Sequence, residues 1–201
     1  MTLCRILLLV ILTTALPAAA MAQKKTEKAI LAGGCFWCVE SDMDELQGVL
    51  TTTSGYTGGT IENPTYENYH DTGPEIEPHI EAVEIVFDPA VVTYARLLDY
   101  YFHHIDALDG GGQFCDRGAA YRPVIFTLSG EQREAAKKAS EKASAELKKP
   151  VAVEIADATA FWPAEEYHRD YYQKNPARYK FYRWNCGRDQ RVKELWGTPE
   201  D

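Results

Sequence analysis

The sequence predicts one domain of the α/β or α+β class, with helices packed on a mixed sheet. Short apolar segments of strand character alternate along the chain with longer segments whose apolar residues recur at helical spacing. Two long segments, 60–78 and 106–117, are rich in glycine and polar residues and are predicted to be loops. The sequence contains neither an internal repeat nor a low-complexity segment.

Helices are predicted at 36–47, 93–105 and 129–147, with a short helix and irregular chain in the aromatic tail after Trp162. The first helix follows from Val39, Met43 and Leu46, which recur at spacings of four and three. Thr93 and Ser129 precede the other two helices and are suitable N-caps, because their hydroxyls can accept a backbone N–H of the first turn. Strands are predicted at 29–32, 49–56, 79–87, 121–128 and 151–155.

The strand predicted at 79–87 places a glutamate among apolar residues. Its alternation of residue types places Glu81 on the same face as Val83, Ile85 and Phe87, which would leave the carboxyl partly buried. Position alone does not distinguish Glu81 from a surface glutamate among the 30 acidic residues.

The N-terminus is typical of a secretory signal peptide, with a charged start, an apolar run at 6–16 and an A-x-A site ending at Ala22. Residues 1–22 are therefore predicted to be a signal peptide and residues 23–201 one domain, secreted and periplasmic after cleavage near Ala22. An uncleaved anchor is the alternative, but a transmembrane helix needs about 20 apolar residues. We expect no stable membrane association.

The formal net charge of −9 makes the chain acidic. An acidic domain repels nucleic acid and anionic membranes, so neither is expected as a partner. Nothing in the sequence indicates oligomerisation, and a monomer is expected.

Cys35 and Cys38 form a C-x-x-C motif at the start of a predicted helix, where both sulfurs would lie one turn apart. Free N–H groups and the helix dipole would stabilise a Cys35 thiolate and lower its pKa. Phe36 and Trp37 could line an apolar pocket beside the sulfur or belong to the core.

The C-x-x-C spacing also occurs in thioredoxin-like oxidoreductases and in zinc sites. No metal is expected, because no second ligand pair accompanies the motif.

Several blocks, in a fixed order, carry a resemblance to an enzyme family. They are GCFWCVE at 34–40, GYTGG at 55–59, NPTY at 63–66, HIEAV at 79–83, DRG at 116–118 and YR at 121–122. They resemble the A-type peptide methionine sulfoxide reductases. The resemblance implies an α/β (α+β) two-layer sandwich with a ferredoxin-like core. It also implies reduction of methionine S-sulfoxide, free or in proteins, without a cofactor.

The resemblance assigns a role to each matching residue. These are Cys35 as nucleophile, Glu81 as the acid that protonates the sulfoxide oxygen, Tyr66 and Tyr121 as hydroxyls that bond this oxygen, Asp116 as an acidic residue of the same pocket, and Phe36 and Trp37 as the pocket for the methyl group. Oxygen leaves sulfur poorly unless it is protonated, so an acid with a raised pKa suits the chemistry. The chain departs from the family's pattern at Pro78, 119–120 and Pro123, which affects the shape of the pocket.

After attack, Cys35 would be a sulfenic acid, which condenses with a second thiol. Cys38 is favoured as the first resolving cysteine because it is close in sequence. Cys186 resembles the family's C-terminal recycling cysteine and is favoured as the second in a relay, while Cys115 lies beside Asp116 and is also a candidate. A thioredoxin-like dithiol protein would reduce the final disulfide.

Two other functions stay open on the sequence. A general thiol-disulfide oxidoreductase would use Cys35 and Cys38 without needing the proton of Glu81. A non-enzymatic exported domain would instead be stapled by two disulfides among the four cysteines of the expected mature chain.

Overall fold

The computed structural model describes residues 25–197, so the expected signal peptide and the cleavage site at Ala22 lie outside the described residues. Within this range the strands are β1 (Glu27–Ala32), β2 (Val49–Thr57), β3 (Ile80–Phe87), β4 (Gly112–Gln113), β5 (Asp116–Arg117), β6 (Val124–Thr127), β7 (Glu154–Asp157) and β8 (Trp162–Pro163). The α-helices are α1 (Phe36–Asp44), α2 (Tyr94–Phe102), α3 (Gly130–Leu147), α4 (Tyr171–Lys174), α5 (Pro176–Asn185) and α6 (Arg188–Trp196). None of these helices is both long and apolar enough to cross a bilayer.

A six-stranded sheet with the order β7-β6-β1-β3-β2-β8 forms the centre of the fold. β1 pairs antiparallel with β3 and with β6, and β2 pairs antiparallel with β3. Helix α1 connects β1 to β2 and α2 lies between β3 and β6. This order and connectivity give a ferredoxin-like core, and β7 makes the sheet mixed because it pairs parallel with β6. The predicted fold class is confirmed.

Alternating side chains divide the apolar residues between the two faces of the sheet. In β1, Leu31 belongs to the larger core under α1, α2 and α3, whereas Ile30 belongs to a smaller cluster on the opposite face. In β3, Val83 faces the helices and Ala82 the smaller cluster. The alternation predicted for this strand is confirmed, and the larger face is the one that carries Glu81.

Two predicted helix caps are also confirmed. The Thr93 hydroxyl accepts the N–H of Arg96 at 3.2 Å, and the Ser129 hydroxyl accepts the N–H of Gln132 at 3.2 Å. The strand predicted at 121–128 is shorter than expected, because a 3-10 turn occupies Ala119–Tyr121.

The C-terminal tail is more regular than the sequence suggests, since it contains α4, α5 and α6. Its polar and aromatic residues give a weak helical pattern, and contacts with α1 hold the helices in place. Tyr171 stacks on Trp37 with ring centroids 3.7 Å apart, and Arg183 pairs with Asp42 at 2.6 Å. These contacts bring the tail to the start of α1.

Candidate active site

Cys35 lies where β1 passes into α1, as the N-cap residue of the helix. The turn depends on Gly34, whose φ of +84° favours glycine. A Cβ on Gly34 would also lie 2.6 Å from Cβ of Gln113, which is closer than packed atoms approach. The turn leaves Cys35 only 7% exposed.

Glu81 points at this helix start from the neighbouring strand β3. The N–H of Phe36 donates to its Oε2 at 2.9 Å, and the hydroxyl of Tyr69 donates to its Oε1 at 2.9 Å. Glu81 is 2% exposed, and burial raises its pKa to about 8, although both hydrogen bonds act to lower it. The carboxyl is therefore mostly protonated at neutral pH.

Three tyrosines lie together beside Glu81. The hydroxyls of Tyr69 and Tyr121 are 3.2 Å apart, and the ring of Tyr66 stacks on Tyr69 with centroids 5.7 Å apart. All three line an open cavity of about 450 Å³. A larger groove of about 810 Å³ lies between α2 and α3 but contains none of the predicted site residues.

Tyr69 is a site residue that sequence reasoning missed. It is 2% exposed, whereas Tyr66, three positions earlier in the same loop, is 37% exposed. With 12 tyrosines in the chain, neither composition nor spacing singles out Tyr69.

Asp116 and Tyr182 approach Cys35 from the other side. The carboxylate of Asp116 accepts the backbone N–H of Cys35, and the Tyr182 hydroxyl donates to the same carboxylate. Burial raises the pKa of Asp116. The Tyr182 hydroxyl also lies within hydrogen-bonding reach of the Cys35 sulfur. Tyr182 comes from α5, in the tail for which the sequence predicted only a short helix and irregular chain.

The two aromatic residues after Cys35 are placed differently. Phe36 is 1% exposed and is part of the core, whereas Trp37 is half-buried. The Trp37 indole N–H donates to Nδ1 of His168 at 3.1 Å while the ring stacks on Tyr171. His168, also missed by sequence reasoning, packs against Phe36 and against Tyr66, with ring centroids 5.2 and 4.3 Å away. Trp37 is thus fixed in orientation.

The thiols of Cys35 and Cys38 are free and share a hydrogen bond. Burial, and then this bond, raises the pKa of Cys35, so the expectation that the helix start lowers it is wrong. The reason is that the N–H groups of Cys35 and Phe36 are already bonded to Asp116 and Glu81. They do not offset the loss of hydration of a buried thiolate.

Cys38 is the more acidic of the two thiols. The hydrogen bond from Cys35 lowers its pKa most, and the guanidinium groups of Arg188 and Arg183 lower it further, against the effect of burial. Arg188 is itself 2% exposed and pairs with Asp42 at 3.3 Å. Of the two sulfurs, Cys38 is therefore the one whose surroundings favour loss of the proton.

Cys115 and Cys186 are joined by a disulfide, with Cα atoms 4.9 Å apart. Cys186, expected to follow Cys38 in a relay, is thus paired with Cys115. The described residues contain this one disulfide and two free thiols, which is not the two-disulfide pattern of a stapled domain. Cys115, Cys186 and Asp116 also form the one ligand-like cluster in this range. Sulfurs joined in a disulfide are not thiolate ligands, so the cluster does not fit a metal.

Comparison with known proteins agrees with this fold. The family model described as peptide methionine sulfoxide reductase matches residues 27–200. Peptide methionine sulfoxide reductase MsrA 2 of Rhizobium meliloti is 51% identical over 84% of this chain and 83% of its own. Peptide methionine sulfoxide reductase MsrA/MsrB of Vibrio cholerae is 48% identical over 86% of this chain, which spans 45% of that relative's length.

Solved structures of similar proteins share the fold. Methionine sulfoxide reductase A of Corynebacterium diphtheriae is 30% identical, with a TM-score of 0.64 over 77% of each chain. Mxr1 from Saccharomyces cerevisiae in reduced form is 26% identical, with a TM-score of 0.66 over 76% of this chain and 87% of that one. The chain belongs to the peptide methionine sulfoxide reductase family and is an oxidoreductase.

Proposed function

We propose that this chain reduces methionine S-sulfoxide, free or in proteins, with Cys35 as the nucleophile and Glu81 as the acid. The observation that carries the proposal is the position of Glu81. Its buried carboxyl, with a pKa of about 8, is bonded to the amide of Phe36, the residue next to the nucleophile. A sulfur nucleophile and a protonated carboxyl therefore meet at one helix start, as sulfoxide reduction requires.

Each oxygen of Glu81 accepts one hydrogen bond, Oε2 from the N–H of Phe36 and Oε1 from the hydroxyl of Tyr69. Because the raised pKa keeps this carboxyl protonated, it holds a proton that the substrate can take. As the Cys35 sulfur attacks the sulfoxide sulfur, this proton passes to the sulfoxide oxygen. Tyr69, Tyr121 and Tyr66 stabilise the charge that develops on this oxygen. The protonated oxygen then passes as hydroxyl to the Cys35 sulfur while the bond between the two sulfurs breaks, so the products are methionine and a sulfenic acid on Cys35.

Cys38 acts twice in this scheme. Its thiolate, stabilised by Arg188 and Arg183, accepts the proton of Cys35 through their hydrogen bond as Cys35 attacks. The Cys38 thiol then attacks the sulfenic acid, forming the Cys35–Cys38 disulfide and releasing water. The direct bond between the two thiols supports Cys38 as the first resolving cysteine.

The methyl group of the substrate lies against Trp37, the accessible aromatic residue after Cys35. Its hydrogen bond to His168 and its stacking on Tyr171 keep this wall rigid. The preference for the S form rests on membership of the family.

We further propose a thioredoxin-like dithiol protein as the reductant. The yeast protein Mxr1 has also been crystallised in complex with Trx2. The signal-peptide pattern at 1–22 supports a secreted, periplasmic domain that starts near residue 23 and repairs oxidised proteins in an oxidising compartment. We propose a monomer that binds neither nucleic acid nor membranes.

The function is tested by methionine formation from the separate S- and R-sulfoxides with dithiothreitol. We expect activity on the S form alone, no activity in Cys35→Ser, and strongly reduced activity in Glu81→Gln. Activity on neither form, together with reduction of insulin disulfides, would overturn the proposal and make Cys35 and Cys38 a thioredoxin-like pair.

A further inference from the structure

We propose that the cavity lined by Tyr66, Tyr69 and Tyr121 is a subsite for an apolar side chain of the substrate polypeptide, two positions from the methionine sulfoxide. This inference rests on the proposed function. The volume of about 450 Å³ lies within the range of about 300–1,000 Å³ that is usual for ligand sites. Neither Cys35 nor Trp37 lines the cavity, so it is a compartment beside the position where the sulfoxide reacts.

The cavity is continuous with the active site through its tyrosines. The hydroxyl of Tyr69 donates to Glu81 at 2.9 Å. The ring of Tyr66 packs against His168, the hydrogen-bond partner of Trp37, with ring centroids 4.3 Å apart. Tyr66 and Tyr69 both line the cavity as well. One layer of tyrosine rings therefore lies between the cavity and the aromatic wall of the active site.

The spacing of side chains in an extended peptide suits this arrangement. Side chains two residues apart lie on the same side of an extended chain, about 7 Å from each other. The stacked rings of Tyr66 and Tyr69, with centroids 5.7 Å apart, span a similar distance. A peptide that places its methionine sulfoxide against Trp37 therefore presents the side chain two residues away to the cavity, while the adjacent side chain points to the other side.

Apolar residues complete the lining around the tyrosines. They include Pro78, Ala119 and Ala120, which are positions where the chain departs from the family's pattern, so the shape of this cavity is particular to this chain. Gly118 also lines the cavity, and a Cβ there would meet nothing within 4 Å, as expected beside open space. An apolar side chain placed against these groups leaves water, which favours binding.

The polar groups of the lining do not favour an acidic ligand. None of the described residues that line the cavity carries a carboxylate. The guanidinium of Arg117 is already bonded to both carboxylate oxygens of Asp109. The imidazole of His70 packs edge-on against Tyr69, with ring centroids 4.9 Å apart. An apolar side chain therefore fits this lining better than a charged one.

Five blocked pentapeptides measure the subsite. Each has methionine S-sulfoxide at its centre; one has glycine elsewhere, and the others carry a single leucine either next to the sulfoxide or two positions from it, on either side. We expect leucine two positions away, on one side, to lower KM by about 10-fold with kcat little changed. The effect falls on KM because contacts away from the reacting atoms stabilise the ground state and the transition state alike. Aspartate at the same position should not lower KM.

Ala119→Asp locates the effect in the cavity. Ala119 is exposed at the cavity wall, so a charge there is compatible with folding but opposes an apolar side chain. We expect the ratio of kcat/KM between the leucine and glycine peptides to fall to about one. Ala90→Asp is the matched control and should keep the ratio, because Ala90 is also exposed and follows β3 at the end opposite to Glu81.

Three results would overturn the subsite and leave the proposed function standing. They are the same KM for all five peptides, a lower KM only with leucine next to the sulfoxide, and an unchanged ratio in Ala119→Asp. No methionine from any peptide or from free methionine S-sulfoxide would overturn both.

Discussion

The N–H of Phe36 donates a 2.9 Å hydrogen bond to Oε2 of Glu81, across a separation of 45 positions in the chain. This bond joins the first turn of α1 to β3, one of the two central strands of the sheet. It fixes the carboxyl of Glu81 beside Cys35. The bond also explains why the helix start does not stabilise a Cys35 thiolate, because the N–H of Phe36 already donates to Glu81.

Glu81→Gln tests the acid. The amide keeps an acceptor for Phe36 but has no acidic proton, so we expect kcat/KM for methionine S-sulfoxide to fall by about 100-fold or more. Wild-type activity should decline as pH rises through about 8, where Glu81 ionises, and the variant should lack this decline. Glu84→Gln is the control, because Glu84 lies on the same strand and pairs with Lys28 at the surface. Equal activity of wild type and Glu81→Gln at neutral pH would contradict this role.

The same carboxyl makes stability depend on pH. Burial raises the pKa of Glu81 from 4.5 to about 8, so the folded state holds this proton more tightly than the unfolded state. The buried Glu81 carboxyl contributes fully to stability below the pKa that it has in the unfolded state. This contribution is lost as pH rises through the pKa of Glu81 in the folded state. We expect the free energy of unfolding to fall less in Glu81→Gln than in wild type between about pH 5 and about pH 9. Urea denaturation of both proteins, with their thiols reduced, measures the free energy of unfolding at each pH. The same pH dependence in both proteins would contradict this prediction.

Tyr69→Phe tests the hydroxyl that sequence reasoning missed. The hydrogen bond from Tyr69 lowers the pKa of Glu81, so its removal should raise that pKa. We expect reduced activity whose alkaline decline is shifted to higher pH, as measured by a pH profile of kcat/KM. Tyr94→Phe is the matched control, since the buried Tyr94 hydroxyl has no hydrogen-bond partner among the described residues. An unshifted profile in Tyr69→Phe would argue against the contact.

Gly34→Ala tests the turn that presents Cys35. The positive φ and the 2.6 Å approach to Gln113 Cβ should destabilise the fold by at least about 1 kcal/mol. Activity should fall as well, because the turn positions the nucleophile. Gly130→Ala is the comparison, since a Cβ there meets nothing within 4 Å and the residue opens α3. Thermal denaturation of both variants compares their stabilities. Equal stabilities would show that a side chain at position 34 causes no strain.

Local patterns were sufficient to predict the parts of the site that lie within one element. Cys35 follows a strand and two glycines and precedes an apolar helix, which places it at a helix start. Glu81 could be assigned to the face of Val83 because strand alternation has a fixed period of two. The caps Thr93 and Ser129 were predictable for the same reason, since each depends on its own first turn.

Contacts between distant segments were not predictable. Tyr69 and Tyr182 are two of 12 tyrosines, and only the packed loop and α5 bring their hydroxyls to Glu81 and Asp116. The pKa of Cys35 was mispredicted because the helix N–H groups bind carboxylates that come from other parts of the chain. The pairing of Cys186 with Cys115 likewise depends on the position of the C-terminal helices.

The central claim is that Cys35 takes the oxygen from the sulfoxide. Mass spectrometry of Cys38→Ser, with the Cys115–Cys186 disulfide intact and one equivalent of methionine S-sulfoxide added, tests this most directly. Since Cys38 cannot resolve the intermediate, the account predicts one added oxygen on Cys35, trapped as sulfenic acid by dimedone, in equal amount to the methionine formed. Methionine formation with Cys35 unmodified would contradict the account.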